Sequence, residues 1–347
     1  MPTYPEISSE AFRHPLDWEA EVALRSLPGF ESLARKFVEF VYERPQAIYQ
    51  MGNHILVGPR QYATLYQIFR QCLRDLDIYP EPSLFVSQHP LLNAYSLGQE
   101  HATITVNSSI LDAMSHEEIR CVLAHELGHI KCGHTILIQM ALWAISSATF
   151  LGEMTFGLGN VVGSGLIYSF YEWRRKAELS ADRAALLVTD DLNSVMKTMM
   201  KMAGGSSSFA HEASLEEFVR QSQQYQELDR EELNQVYKFL LYNNPQGVAF
   251  SHPFTVERIS YLQEWANSEE YQQIKQGNYT RCNAQGAVDV TPEAAEKSDR
   301  VKREEMRSLK RQIEELKAEI ERVKSNRQPP SNGNGEGSES DNSDNEI

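Results

Sequence analysis

Hydrophobic residues along the chain recur first at helical spacing, then in short strand-like runs, and then at helical spacing again. A helical stripe covers residues 61–76. Three short runs after it predict strands at 84–87, 93–96 and 101–106. Beyond residue 115 the pattern predicts helices over 116–132, 172–188, 193–202 and 215–242. We therefore expect an α+β fold that is mostly helical and contains a small sheet beside one of these helices.

The pattern is less regular before this main part of the chain. Residues 1–60 form a predicted N-terminal region, with an amphipathic helix over 27–43 and two short extended pieces within 47–57. Residues 61–270 form the predicted main domain, and residues 271–300 a linker.

The C-terminal segment carries a heptad repeat. Hydrophobic residues spaced three and four apart form its seam: Met306, Leu309, Ile313, Leu316, Ile320 and Val323. Charged residues occupy most of the positions between the seam residues. This pattern predicts a coiled coil over 301–327 and a homo-oligomer through 306–323. A single amphipathic helix docked on its own domain is the alternative. Residues 328–347 have almost nothing to bury, and we expect a disordered acidic tail there.

The composition is that of an ordinary globular protein with an acidic excess. Of the 347 residues, 41% are hydrophobic and 23% charged, and the net charge is −15. A mean hydropathy of −0.46 excludes a protein with many membrane spans. Because acidic surfaces repel phosphate backbones, we expect no nucleic-acid partner. Residues 297–347 contain eleven basic and twelve acidic residues, so nearly all of the net charge lies before them.

Cysteine usage and the first residues predict an intracellular protein. The four cysteines form no C-x-x-C motif and are too sparse for a disulfide framework. The first 30 residues show no basic segment followed by a hydrophobic run, so no secretory signal is predicted. We expect the cytoplasm or an organelle interior, with association to a membrane, and no secretion.

The decisive motif is HExxH, formed by His125, Glu126 and His129 within a predicted helix. Two histidines four residues apart project from one face of a helix and can bind one Zn²⁺. The glutamate between them can take a proton from a metal-activated water and later give it to the leaving amine. The motif starts after a capping box at Ser115 and Glu118, which supports its place inside a helix.

A catalytic zinc normally takes a third protein ligand. The metzincin pattern is excluded, because Cys132 and Thr135 stand where it requires Gly and His. His134 lies five residues after His129, which on a continuous helix rotates it off the ligand face. We interpret His134 as a helix-end or surface histidine.

Glu178 is the better candidate for the third ligand. Glu178 and Asp182 are four residues apart on one predicted helix, so Glu178 can reach the metal while Asp182 accepts the free N–H of a ligating histidine. Small residues suited to close helix packing surround them: Ser180, Ala181, Ala184 and Ala185. On its own such a pair is typical of a solvated helix face.

Three motifs in this order resemble the M48 family of zinc metallopeptidases, which are gluzincins. They are LAHELGH at 123–129, RKAELSAD at 175–182 and SHPFTVERI at 251–259. The resemblance implies one zinc per chain on His125, His129 and Glu178. It also implies that His252 lies near the metal, either donating a hydrogen bond to the oxyanion or capping the zinc. Arg258 is the expected orienting or oxyanion-stabilising partner. Without the resemblance, His252 is a plain turn residue.

A hydrophobic stretch separates the two ligand helices. Two uncharged runs, 135–152 and 154–171, flank Glu153 and reach the lower limit of a membrane span. The basic residues 174–176 follow directly, which favours a hairpin over 135–171 that contacts a membrane. A soluble helical hairpin or a dimer surface is the alternative.

We therefore expect a zinc-dependent metalloendopeptidase that hydrolyses unfolded or membrane-associated polypeptides. The strand at 101–106 is expected to bind extended substrate along an exposed edge, with a purely structural strand as the alternative. A noncatalytic, chaperone-like or scaffold protein that retains the fold is the main alternative function. A metal-dependent hydrolase of a non-peptide substrate is a third.

Overall fold

The computed structural model describes residues 3–27, 30, 43–98, 101–140, 158–205, 208–230, 238 and 254–282. Most of these residues are helical, as predicted. The helices are α1 (Pro15–Arg25), α2 (Glu43–Asn53), α3 (Ala63–Asp75), α4 (Ser108–Ala113), α5 (His116–Lys131), α6 (Leu158–Thr189), α7 (Leu192–Gly204), α8 (Leu215–Asp229), α9 (Thr255–Ala266) and α10 (Glu269–Lys275). A further helical segment covers residues 134–140, directly after α5.

Several predicted segments lie outside the described residues. They include most of the predicted helix at 27–43, the linker beyond residue 282, the coiled coil at 301–327 and the tail at 328–347. The chain divides into two units, Met1–Cys282 and Asn283–Ile347. The domain boundaries proposed from the sequence therefore stay predictions.

The sheet has four strands in the spatial order β1, β2, β4, β3. Their bounds are β1 (Ile55–Leu56), β2 (Ser83–Ser87), β3 (Ala94–Leu97) and β4 (Thr103–Asn107). β2 and β4 are parallel, whereas β1 and β3 pair antiparallel at the two sides. The three strands predicted from the sequence are confirmed within one or two residues.

The strand expected to bind substrate is not an edge strand. β4 pairs with β2 on one side and with β3 on the other, and all five of its residues are buried. The prediction that 101–106 offers a free edge is therefore wrong, because both of its hydrogen-bonding sides are used. Within the described residues β3 pairs only with β4, so the edge belongs to β3.

Residues 47–53 are helical, and the prediction of an extended piece there is wrong. They form the end of α2, and only β1 behind them is extended. The hydrophobic pattern misled because Ile48, Tyr49 and Met51 point to solvent. The residue that faces the interior is the polar Gln50, which is 1% exposed and donates a hydrogen bond to Thr105 Oγ1.

Two buried hydrophobic clusters hold the elements together. The larger one joins the sheet to α3, α5 and α6, with Phe69, Ile104 and Leu123 among its members. The smaller one joins α1, residues 134–140 and α6, and includes Leu24, Leu137, Phe170 and Trp173. The first helix of the chain is thus packed onto α6 through the smaller cluster.

The HExxH helix, α5, begins and ends as its sequence predicts. Ser115 accepts a hydrogen bond from the backbone N–H of Glu118, and the Glu118 carboxylate accepts one from the backbone N–H of Ser115. The helix ends at Lys131, and Gly133 then adopts φ +71°, a left-handed conformation that favours glycine. This turn separates α5 from the helical segment at 134–140.

The helices α5 and α6 approach closely at Gly128. A Cβ atom at this position would lie 2.7 Å from Ala184 Cβ and 3.0 Å from Ala181 Cα. Two of the small residues predicted to allow close packing, Ala181 and Ala184, therefore face the glycine of the HELGH motif. This contact brings the two helices near enough for their side chains to share one ligand.

The hydrophobic stretch at 135–171 is described in two helical pieces, 135–140 and 158–171. Among the described residues, no helix combines the length and the hydrophobicity that crossing a bilayer requires. Residues 141–157 lie outside the described part of the chain. The membrane hairpin therefore stays a prediction.

The close helix contact can be tested by Gly128→Ala. We expect the added methyl group to lower the free energy of unfolding by about 1–3 kcal/mol, although alanine is the better helix former, because α5 and α6 must move apart. Chemical denaturation measures the change. Gly204→Ala is the matched control, since a Cβ there meets nothing within 4 Å. Equal stability of the two variants would contradict the contact.

Candidate metal centre

Two histidines of α5 and one glutamate of α6 meet where these helices pack together. His125 and His129 are one helical turn apart and project from the same face of α5. Their Nε2 atoms lie 3.2 Å and 3.5 Å from the two carboxylate oxygens of Glu178. The three ligand atoms lie within 4.8 Å of one another. In the described part of the chain, these three residues form the group that could bind a metal ion.

The distances between these atoms fit a tetrahedral metal site. Ligand bonds of about 2.0–2.2 Å place neighbouring ligand atoms of such a site about 3.3–3.6 Å apart. The two measured separations from Glu178 are close to these values. Two imidazole nitrogens and one carboxylate oxygen are also the donor set of a catalytic zinc, which keeps a fourth position for water or substrate.

Asp182, one turn beyond Glu178 on α6, holds His125 from the other side. His125 Nδ1 lies 3.0 Å from Asp182 Oδ1, so an N–H at Nδ1 donates to the carboxylate and leaves Nε2 free to ligate. Arg258 of α9 donates to the same carboxylate at 2.8 Å from Nε and 2.6 Å from Nη2. Burial raises the pKa of Asp182, but the charge of Arg258 and the bond from His125 outweigh it and lower that pKa. Asp182 is therefore ionised.

His129 is held by a residue that sequence reasoning misplaced. His129 Nδ1 lies 3.0 Å from His134 Nδ1, and His134 Nε2 lies 3.0 Å from Asp17 Oδ2 of α1. His134 is fully buried, and burial lowers its pKa, which favours the neutral ring. His134 lies just beyond the end of α5, but the expectation of a surface histidine is wrong, because the side chain is fully buried.

The turn at Gly133 explains this error. The rotation assumed for His134 holds only if α5 continues, but the left-handed Gly133 breaks the helix and redirects the next residue toward His129. The predicted helix stop at Gly133 was the available signal. No local pattern points to Asp17, which is 117 positions away from His134.

Glu126 lines a cavity of about 280 Å³ that also borders His125 and Glu178. The start of β3 reaches this cavity at Ala94, together with the preceding Asn93. Apolar side chains from α5 and α7 cover much of the remaining wall: Val122, Val195, Met199 and Met202. A proton acceptor, two of the three candidate metal ligands and an edge strand therefore border one space.

Two further predicted residues have different outcomes. Arg258 lies in the same cavity wall, with its guanidinium paired to Asp182 and 3.6 Å from Glu178 Oε2. Nε and Nη2 of Arg258 both donate to Asp182, an arrangement that can orient this carboxylate. His252 lies outside the described residues.

The comparisons with known proteins identify the family. The family model for peptidase family M48 matches residues 59–266, more than half of the chain. The chain belongs to peptidase family M48. A relative named plastoglobule-localized metallopeptidase 48, chloroplastic, from Arabidopsis thaliana is 31% identical over 274 residues, which are 78% of this chain and 76% of that protein.

Bacterial relatives are more distant. A protease HtpX homolog of Sulfurihydrogenibium sp. is 24% identical over 54% of this chain and 69% of its own length. Another from Moorella thermoacetica is 22% identical over 54% and 70%. No solved structure matches the chain.

Membership in family M48 confirms the resemblance predicted from the three motifs. The protein is a hydrolase of the metallopeptidase class with polypeptide substrates, and the family implies a metal cofactor. The relatives are named as proteases, which supports an enzyme over the noncatalytic, chaperone-like alternative.

The electrostatics of this M48 site predict that metal binding releases a proton. Burial lowers the pKa of His125, but the bonds to Asp182 and Glu178 outweigh it and raise that pKa to about 10. The metal-free protein then carries a protonated His125 at neutral pH, whereas a ligating histidine is neutral. Metal affinity should therefore fall as the pH is lowered.

Calorimetric titration of the metal-free protein with Zn²⁺ tests this expectation. At pH 7, in two buffers of different ionisation enthalpy, we expect about one proton to leave His125 for each ion bound. Asp182→Asn is the matched variant, because loss of the carboxylate lowers the pKa of His125 and should reduce the number released. Binding heats that are the same in both buffers would contradict a protonated His125.

Proposed function

We propose that this protein is a zinc-dependent metalloendopeptidase that hydrolyses unfolded or membrane-associated polypeptides, with Glu126 as general base and acid. The observation that carries the proposal is the position of Glu178, whose two carboxylate oxygens lie 3.2 Å and 3.5 Å from His125 Nε2 and His129 Nε2. Glu126 borders the same cavity as His125 and Glu178.

One zinc per chain would be held by His125, His129 and Glu178. Two imidazoles and a carboxylate match the ligand set of catalytic zinc, and their spacing matches its bond lengths. When bound, Zn²⁺ supplies Lewis acidity that activates water and polarises the carbonyl of the scissile bond.

The residues of the chain supply proton transfer and positioning. Glu126 takes a proton from the attacking water and delivers it to the nitrogen of the leaving amine, so its two roles follow in sequence. Asp182 fixes the tautomer of His125, and Arg258 holds Asp182 in its ionised form. We keep His252 as a candidate oxyanion donor or zinc cap.

The substrate chemistry follows from the cavity and the strand beside it. β3 has one hydrogen-bonding side free of sheet partners within the described residues, and its start lines the cavity. An extended peptide that pairs with such an edge is recognised mainly through its backbone. Unfolded segments meet this requirement, whereas folded proteins do not, because their backbone is already paired.

Glu126→Gln tests the proposed chemistry. The variant should bind about one Zn²⁺ per chain, as the wild type does, and cleave an unfolded protein such as denatured casein at least 10²-fold more slowly, because the amide cannot accept the proton. Metal analysis and a gel-based cleavage assay give the two readouts. Glu117→Gln, on the exposed side of the same helix, is the control that should retain activity. Equal cleavage rates for wild type and Glu126→Gln would exclude the assigned role.

We also propose that the protein works at a membrane inside a cell or an organelle. The name of the Arabidopsis relative places that protein at plastoglobules of the chloroplast. Of the basic residues 174–176 that follow the hydrophobic stretch, Arg175 is buried and paired with Glu172. Arg174 and Lys176 are partly exposed and can meet anionic lipid headgroups.

Membrane contact can be tested on the segment between the two described helical pieces. Replacing residues 141–157 with a Gly/Ser linker of equal length keeps the buried Leu137 and Phe170 in place. We expect the full-length chain to sediment with membranes and the variant to be released, measured by cell fractionation. Recovery of the unaltered chain in the soluble fraction at physiological salt would contradict the proposal.

A further inference from the structure

A chain of buried hydrogen bonds connects the candidate ligand His129 to the first helix of the protein. It runs from His129 Nδ1 to His134 Nδ1, and from His134 Nε2 to Asp17 Oδ2, with 3.0 Å between the atoms of each pair. His134 and Asp17 have no exposed surface, and His129 is 4% exposed. Water therefore cannot replace either bond.

With a neutral His134, the hydrogen bonds allow one consistent set of tautomers. A carboxylate only accepts hydrogen bonds, so His134 must donate to Asp17 through an N–H at Nε2. The neutral His134 ring then has a lone pair at Nδ1, which accepts the N–H at Nδ1 of His129. That leaves the lone pair of His129 at Nε2, the atom that faces Glu178.

Asp17 is fixed so that it can play this role. Arg13 donates to both of its oxygens, at 2.8 Å from Nε and 3.0 Å from Nη2. Ser180 donates to Oδ2 at 2.7 Å, and Trp173 donates to Oδ1 at 3.2 Å. These donors balance the cost of a buried carboxylate and prevent it from turning away.

The His134 ring is also held in orientation. Its centroid lies 5.2 Å from that of His129 and 5.7 Å from that of Trp173, both in edge-to-face geometry. The ring is thus clamped between a candidate metal ligand and a tryptophan of α6. Rotation of the ring would break both hydrogen bonds at once.

We propose that His134 and Asp17 are positioning residues that set the tautomer and the orientation of His129 for metal binding. This inference rests on the proposed zinc site and deepens it. His125 is oriented directly by a carboxylate, whereas His129 reaches its carboxylate through a second imidazole. Asp17 lies outside residues 59–266, the part of the chain that the family model matches.

Two nearly isosteric variants separate the hydrogen bond from packing. His134→Leu removes both nitrogens, whereas His134→Asn keeps an acceptor, Oδ1, near the position of Nδ1, where it can still accept from His129. We expect His134→Leu to weaken Zn²⁺ binding about 10–100-fold in chelator competition. His134→Asn should recover most of that loss. Equal affinities of the two variants, or wild-type affinity of His134→Leu, would overturn the proposal.

A control variant and a spectrum exclude a merely structural effect. Leu137→Ala leaves a cavity on the same helical segment, in the smaller buried cluster. It removes none of the hydrogen bonds that link His129, His134 and Asp17. It should lower the stability of the metal-free protein but weaken Zn²⁺ binding by no more than about threefold. Loss of a residue that hydrogen-bonds a metal ligand typically weakens binding about 10–100-fold. The visible absorption of the Co²⁺-substituted protein should change in His134→Leu and stay as in wild type in Leu137→Ala.

Asp17→Asn provides a second route if His134→Leu does not fold. The amide oxygen still accepts from His134, so the variant keeps the shape of the site but loses the charge that fixes the tautomer. Zn²⁺ binding should weaken, by less than in His134→Leu. Unchanged Zn²⁺ binding and an unchanged Co²⁺ spectrum in Asp17→Asn would contradict a positioning role for Asp17.

The Zn²⁺-binding and cleavage measurements together distinguish failure of this inference from failure of the proposed function. If the wild type binds Zn²⁺ but cleaves no polypeptide, the effects on affinity still decide the role of His134. If the wild type binds Zn²⁺ and cleaves casein while His134→Leu binds Zn²⁺ equally well, only the positioning role fails. If His125→Ala and His129→Ala leave Zn²⁺ binding unchanged, the proposed site itself is wrong.

Discussion

The close packing of α5 against α6 is the constraint on which the site depends. One ligand pair comes from α5 and the third candidate ligand from α6, so the distance between the helix axes decides whether three atoms can meet. Gly128 permits that distance because any side chain there would collide with Ala181 and Ala184. The glycine inside the HELGH motif is therefore a packing residue, and the two histidines beside it depend on it.

The two histidines differ in how they are supported. His125 faces the cavity and is held by one ionised carboxylate, whose charge is balanced by Arg258. His129 is buried deeper and relies on a chain of partners that ends at Asp17. A buried carboxylate is costly unless it is fully paired, which accounts for the set of donors around Asp17. Loss of one partner in such a network typically costs about 3–5 kcal/mol, so this part of the protein tolerates few substitutions.

Short-range features of the fold and the site could be predicted from the sequence. Three such features are set within one or two helical turns: the capping box at Ser115, the spacing of His125 and His129, and the spacing of Glu178 and Asp182. Helical periodicity fixes such relations without knowledge of the rest of the chain. The three short strands were also found, because their β-prone runs are bounded by turns.

Long-range features could not be predicted in the same way. Which strand lies at the edge depends on pairing order, and β4 became central because β2 and β3 both pair with it. Ile48, Tyr49 and Met51 of α2 point outward while Gln50 points inward, which reverses the usual pattern. Arg258 was suggested only by the family resemblance, since nothing near it in the sequence indicates Asp182 as its partner. Such contacts join residues that are tens of positions apart, and local patterns carry no information about them.

The span of sequence that meets around the metal site has a consequence for biosynthesis. Asp17 is made early, His125 and Glu178 follow, and Arg258 emerges only after about three quarters of the chain. Because translation proceeds from the N-terminus, every shorter nascent chain lacks at least one of these groups. The complete set of groups around this centre therefore exists only in the last part of synthesis, after Arg258 has been added.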